Sequence, residues 1–171
     1  MDRTPYGGSR QAGLLEVPLG YASRGWRVLP LWRPKNGVCT CPKAAGCDRP
    51  GKHPRTHHGH ADASTDQKKI AQWKWESANI GIATGRESGL VVIDIDPRNG
   101  GQQSILDLQK RLGSLPAGPK VKTGGGGWHL YFGHPGQPIR SIKPALGIDI
   151  KADGGFVVAP PSVHQTGNTY D

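Results

Sequence analysis

The stretch Leu90-Val91-Val92-Ile93-Asp94-Ile95-Asp96-Pro97 decides how this chain is read. From Leu90 to Ile95 it is β-branched and, apart from Asp94, apolar. That is the pattern of a central strand buried on both faces. Asp94 and Asp96 stand two residues apart, so the pleat of a strand turns both to one side. Two like charges on one side of an apolar strand repel. Either a cation sits beside them, or the strand runs out into solvent and Asp96-Pro97 opens a turn. Hard divalent ions such as Mg²⁺ take carboxylate oxygens together with substrate phosphates. Asp149, inside Gly147-Ile148-Asp149-Ile150-Lys151, is a second acidic residue in a short β-branched run. A third carboxylate on a neighbouring strand would complete a site that clamps the attacking and leaving oxygens of a phosphoryl displacement. The alternative for Asp149 is a strand-end residue paired with Lys151 or Arg140.

Outward from this strand, the flanking segments alternate between the two regular periods. A helix is expected over about Ala12–Arg24, interrupted near Pro18 and Gly20. Trp26–Trp32 reads as a strand. Ser64 or Thr65 is a good N-cap for a helix over Asp66–Glu76 with Ile70 and Trp73 inward. Asn79–Thr84 is a short strand, and Ile105, Leu108 and Leu112 mark a helix over Gln102–Leu112. Lys120–Thr123 leads into Gly124-Gly125-Gly126-Gly127, and Trp128–Phe132 follows as an alternating strand. Ile148–Ile150 and Phe156–Ala159 flank Asp153-Gly154-Gly155, a hairpin signal. The fold class expected is α+β, a mixed, mostly antiparallel sheet with flanking helices.

The glycine run is a third chemical element. Successive amides there can form an anion-binding nest at Gly125, Gly126 and Gly127, with Lys122 and His129 adding positive or donor groups beside it. A phosphate chain is the ligand such a nest suits; a flexible hairpin loop is the alternative. Trp128 beside it either stacks on a base or packs as an ordinary aromatic. Trp73 is expected in the core, and Trp26 and Trp32 beneath the loop that follows them.

That loop, Arg33 to Ala63, has almost no apolar periodicity, yet carries all three cysteines and four histidines. So long a structureless segment needs something to tie it together. Cys39, Cys41, Cys47 and His53 form the frame C-x-C-x5-C-x5-H. Three thiolates and an imidazole suit a tetrahedral, structural Zn²⁺ with no open position. His57, His58 and His60 are alternative fourth ligands.

Composition bounds the rest. The chain has 171 residues, one domain's worth, with 22 Lys+Arg against 13 Asp+Glu and a formal charge of +9. The positive excess favours a polyanionic partner, most often nucleic acid. Lys35, Lys43, Arg49, Lys52 and Arg55, expected outside the cleft, are either contacts to a nucleic-acid backbone or the charges of a solvated loop. No apolar run approaches the ~18 residues of a membrane span. Met1 to Arg10 is polar and lacks the apolar core of a signal peptide. Three cysteines within nine residues are poor material for a secreted disulfide framework.

In order, these elements resemble the N-terminal domain of bifunctional primase–polymerases (Prim-Pol) of the archaeo-eukaryotic primase superfamily, found in phage and plasmid replication proteins. The resemblance runs from about Leu15 to Tyr170. It is carried by the cysteine–histidine loop, Gly89–Arg98, Thr123–Phe132, Gly147–Lys151 and Gly154–Ser162. It implies a primase-polymerase, RRM-like catalytic core in a single domain over residues 1–171, with the zinc-binding loop, read from its ligand chemistry, as an insertion at about residues 37–60. It further implies that Asp94, Asp96 and Asp149 hold catalytic Mg²⁺ or Mn²⁺, and that His129 meets the phosphates of an incoming nucleotide. The family often has Ser where Gly127 stands, which removes a possible hydroxyl contact. No role follows for Ser162 or His164.

The activity implied is template-directed nucleotidyl transfer, as a DNA primase and DNA polymerase. Its substrates would be single-stranded DNA template, primer and nucleoside triphosphates. The chain would be the N-terminal fragment of a longer replication protein that continues into a helicase. Phage or plasmid encoding would place it in the cytoplasm of a bacterial host, away from membranes. A metal-dependent nuclease and a non-catalytic, zinc-containing single-stranded DNA-binding module are the competing functions.

Overall fold

The computed structural model describes residues 8–171, with side chains from Gly13 onward. The first seven residues of the polar N-terminus lie outside the described residues. Helix α1 (Gly8–Ala22) leads into β1 (Val28–Trp32), then a ribbon of β2 (Pro34–Lys35) and β3 (Val38–Cys39). Helix α2 (Gln67–Ala71), β4 (Ala78–Ala83), β5 (Leu90–Ile95) and α3 (Gly101–Leu112) follow. The last third holds β6 (Lys120–Lys122), β7 (Trp128–Gly133), β8 (Ile142–Ala145), β9 (Ile148–Lys151) and β10 (Phe156–Ala159).

The strands form a three-stranded sheet, β1-β4-β10, and a five-stranded sheet, β6-β7-β5-β9-β8, besides the β2-β3 ribbon. Every strand pairing is antiparallel. The fold class is α+β, as the sequence predicts. Strand β5 is central, as expected. One of its faces adds Leu90 and Val92 to a core shared with Val28, Ile80, Ile82, Val157 and Tyr131. The other turns Ile93 and Ile95 to Ile105 and Leu108 of α3, Ile148 and Trp128.

Several expectations are corrected. Helix α1 runs through Pro18, whose ring is fully buried, and ends at Ala22. Burial of the proline and of its neighbours Leu15 and Leu19 against the core offsets the lost helix bond. Helix α2 is a single turn and a half, capped by Asp66 rather than by Ser64 or Thr65; the Asp66 carboxylate accepts from the amides of Lys68 and Lys69. After it the chain folds back, so Trp75 is the more deeply buried of the two tryptophans that follow, its indole N–H donating to the Ile70 carbonyl. Trp26 stacks between Tyr21 and Tyr131 in the main core, not beneath the loop. Strands β9 and β10 do not form a hairpin. The turn at Asp153-Gly154-Gly155 carries the chain from one sheet to the other, where β10 pairs with β4.

Candidate active site

The register of the five-stranded sheet builds the site. Asp94 on β5 lies directly opposite His129 on β7 and directly opposite Asp149 on β9. Residues opposed across antiparallel strands share a face, so His129, Asp94 and Asp149 form one row. Asp96, two residues on, continues the same side beyond the strand end. The next row inward along this face is Tyr131, Val92 and Lys151. The carboxylates therefore begin where the core between the sheets gives way to a cleft of about 760 Å³. Asp94, Asp96, Asp149 and His129 line it, with Arg49, Lys52, Lys143, Lys151 and Tyr170.

Each acidic group has a different environment. Asp94 has no hydrogen-bond donor within bonding distance; His129 Nε2 stands 3.6 Å away. Burial pushes the Asp94 carboxyl up to about 6, and Asp149 and Asp96 add to this against Lys151 and Lys52. Burial also drives the His129 imidazole down to about 4, helped by Lys52 and Lys151. At neutral pH Asp94 is thus an ionised carboxylate with open lone pairs beside an uncharged imidazole. His129 is 5% exposed and its Nδ1 is buried without a well-formed hydrogen bond. Asp149 meets Lys151 at 3.1 Å and Lys143 at 3.8 Å. Asp96 accepts a fork from the Arg98 guanidinium at 3.1 Å on each oxygen, the Arg98 amide at 3.1 Å and Asn99 Nδ2 at 2.8 Å. Those bonds hold its carboxyl below the usual range and fill its four acceptor positions.

Three oxygen-donor carboxylates on one face, one of them without a donor, are a set that fits hard divalent ions. Asp94 and Asp149 are the pair held side by side by register; Asp96 must release Arg98 or Asn99 to join them.

The glycine turn differs from the expected open nest. The Gly126 amide donates to the Thr123 carbonyl, and the Gly127 amide to Thr123 Oγ1, each at 2.9 Å. Both donors are thereby used inside the turn. Gly127 is glycine because a Cβ would run into the Ile95 carbonyl oxygen, and Gly124 because a Cβ would strike His164. Gly125 alone of the run lines the adjoining small cavity, beneath the Arg98 guanidinium. Lys122 pairs with Trp128 in the row beside Val121 and His129, so it stands on the sheet face away from the carboxylates. Trp128 packs on that same far face beside α3, under Lys120, and so does not flank the cleft.

Cys39, Cys41, Cys47 and His53 converge, their ligand atoms all within 4.8 Å of one another. His53 Nε2 is 3.4 Å from both Cys39 Sγ and Cys47 Sγ. A tetrahedral Zn²⁺ with Zn–S near 2.3 Å and Zn–N near 2.05 Å needs about 3.5 Å between those atoms. Among the described residues this is the one His/Cys/Asp/Glu group close-set enough to hold an ion as it stands. The other histidines are engaged elsewhere: His57 edge-on to His58, His58 on Asp62, His60 stacked on Phe156. Trp32 lies under the loop as expected, its ring beside His53.

Three features escaped the sequence. Arg49 and Lys52 line the cleft instead of its exterior. Arg55 is committed to the fold, its guanidinium over Trp32 and donating to the Lys74 and Ser77 carbonyls. Ser162 has a structural role, its hydroxyl bonding the backbone of Ile80.

The model of the bifunctional DNA primase/polymerase N-terminal family, Prim-Pol, matches residues 18–171. The chain belongs to the Prim-Pol family. No curated protein gave a significant match. A Prim-Pol domain is a nucleotidyl transferase of the DNA primase/polymerase type, with DNA and nucleotides as substrates. Among the described residues no helix is long and apolar enough to cross a membrane.

Proposed function

We propose that this chain is a single catalytic domain that extends, and starts, DNA strands on a single-stranded template. The observation that carries this is the in-register row His129–Asp94–Asp149 at the mouth of a cleft edged by lysines and arginines. Asp94, Asp96 and Asp149 are the groups that would hold Mg²⁺ or Mn²⁺. When bound there, such ions supply a more acidic 3′-hydroxyl and neutralise charge on the triphosphate. His129, uncharged at neutral pH, offers a hydrogen bond to a phosphate oxygen without competing as a cation for Asp94. Gly125 and Arg98, which line the small cavity beside Asp94, support one end of the phosphate chain. Catalysis is then mainly positioning and charge stabilisation. Zn²⁺ on Cys39, Cys41, Cys47 and His53 is structural, because four protein ligands leave no open position.

The test is template-dependent synthesis with and without a primer. Wild type should extend a primer with nucleoside triphosphates and a divalent ion. Asp94→Ala/Asp96→Ala and Asp149→Ala should each lose at least about a thousandfold, the scale of removing a metal-centred stabilisation. Cutting of labelled single strands in metal without nucleotides, in place of synthesis, would support a nuclease instead.

A further inference from the structure

The cations of the cleft are not equivalent. Lys143 and Lys151 lie on Asp149, Arg98 on Asp96 and Arg49 beside Asp48. Lys52 alone has no carboxylate within 4 Å among the described residues. Yet it lines both the large cleft and the small cavity that adjoins Asp94, His129 and Gly125. Its charge acts on Asp94 and on His129.

The backbone holds Lys52 from both sides. On one side, the Gly51 carbonyl accepts from Asn79 Nδ2 at 3.0 Å. Asn79 is 1% exposed, and it also donates to the Val163 carbonyl and accepts from the Val163 amide. Gly51 has φ +80 and is so close-packed that a Cβ would press on Pro34, Asn79 and Val163. On the other side is His53, whose Nε2 faces the cysteine sulfurs and whose carbonyl accepts from the Trp32 amide. A long, flexible lysine is thus mounted on a fixed backbone, with the zinc ligand as its immediate neighbour.

We propose that the cysteine–histidine loop is a wall of the nucleotide pocket, delivering Lys52 to the phosphate chain of the incoming nucleoside triphosphate. This rests on the nucleotidyl-transfer function above. The Lys52 ammonium lines the cavity that also holds Asp94 and Asp96 and is paired with neither. Held on this backbone, it is available to an anion that enters between it and the metal-binding row. Zinc then governs nucleotide affinity by fixing the backbone of His53, without touching the acidic row.

The test is equilibrium binding of dATP and of dAMP, with Ca²⁺ as the divalent ion, to the full chain and to Lys52→Ala. Lys52 is exposed, so its truncation leaves the core intact, and zinc content measured by atomic spectroscopy should stay at one per chain. Affinity for dATP should fall about tenfold or more, the loss of one charge-assisted phosphate contact. Affinity for dAMP should change far less, and Lys52→Arg should recover part of the loss. Cys47→Ser, which removes a zinc ligand, should weaken dATP binding similarly, and adding Lys52→Ala to it should cost little more. Unchanged dATP affinity in Lys52→Ala overturns the proposal. So does an equal loss for dAMP, or a loss confined to single-stranded DNA binding. If wild type binds no dATP at all, the catalytic reading fails together with it; if wild type binds and Lys52→Ala is indifferent, only the role of Lys52 fails.

Discussion

Asp94 and His129 are opposed across two strands, and burial moves their proton affinities in opposite senses. The Asp94 pKa is raised to about 6. Its share of stability in the metal-free chain is therefore fully present below its unfolded value near 3.9 and is lost as pH rises through 6. The His129 pKa is lowered to about 4. Its share is present above 6.5 and is lost as pH falls through 4. Between pH 4 and 6.5 the two slopes oppose, so this pair adds little net pH dependence there. Asp94→Asn removes one slope. That variant should match the parent near pH 3.5 and exceed it at pH 7 by on the order of 1–2 kcal/mol, after discounting for the part of Asp94 that water reaches. Thermal melts across this range without divalent catalytic ions check it; a gap that does not widen with pH sinks the assignment. Gly127 belongs to this scale too. Its lack of a side chain looks like a lost hydroxyl contact in the sequence, and the structure assigns it to the approach of the Ile95 carbonyl.

The cysteine–histidine loop, from Cys39 to His53, adds no residue to the hydrophobic core clusters. Asn36-Gly37, both at positive φ, turn β2 into β3 and deliver Cys39. That dipeptide is a type I′ hairpin signal, a local cue that the reading of Arg33–Ala63 as a structureless segment passed over. A three-residue 3₁₀ turn, Ala44–Gly46, brings Cys47 round, and the bridge between Leu31 and Pro54 closes the loop on β1 beside His53. His53→Ala should therefore abolish stoichiometric zinc, while His57→Ala and His58→Ala should retain it. Metal analysis of the purified variants decides this, and zinc retained by the His53 variant would show another ligand set. Residue counting alone could not choose among the histidines, because the choice depends on which backbone segment returns to the sheet.

At the scale of the whole molecule the +9 charge is spread over two regions. Lys52, Lys143 and Lys151 stand in the cleft, whereas Lys35 and Lys43 are exposed on the loop. If those outer lysines track a single strand, log affinity against log salt should flatten by about 1.4 in the Lys35→Ala/Lys43→Ala chain, about 0.7 per phosphate contact. A salt titration of single-stranded DNA binding measures it, and an unchanged slope would remove the loop from the template path. The central strand Leu90–Ile95, most of the elements that flank it, the acidic residues and the clustering of the three cysteines were written in the sequence. They follow from period, β-branching and ligand type, which are local properties. Only the tertiary structure decided that Asp149 stands opposite Asp94, that β10 joins the second sheet, that Gly126 and Gly127 spend their amides within their own turn, and that Lys52 reaches the cleft. Each depends on register or on chain return across many residues, and the energy that selects among those arrangements lies in packing between segments, which no single segment carries.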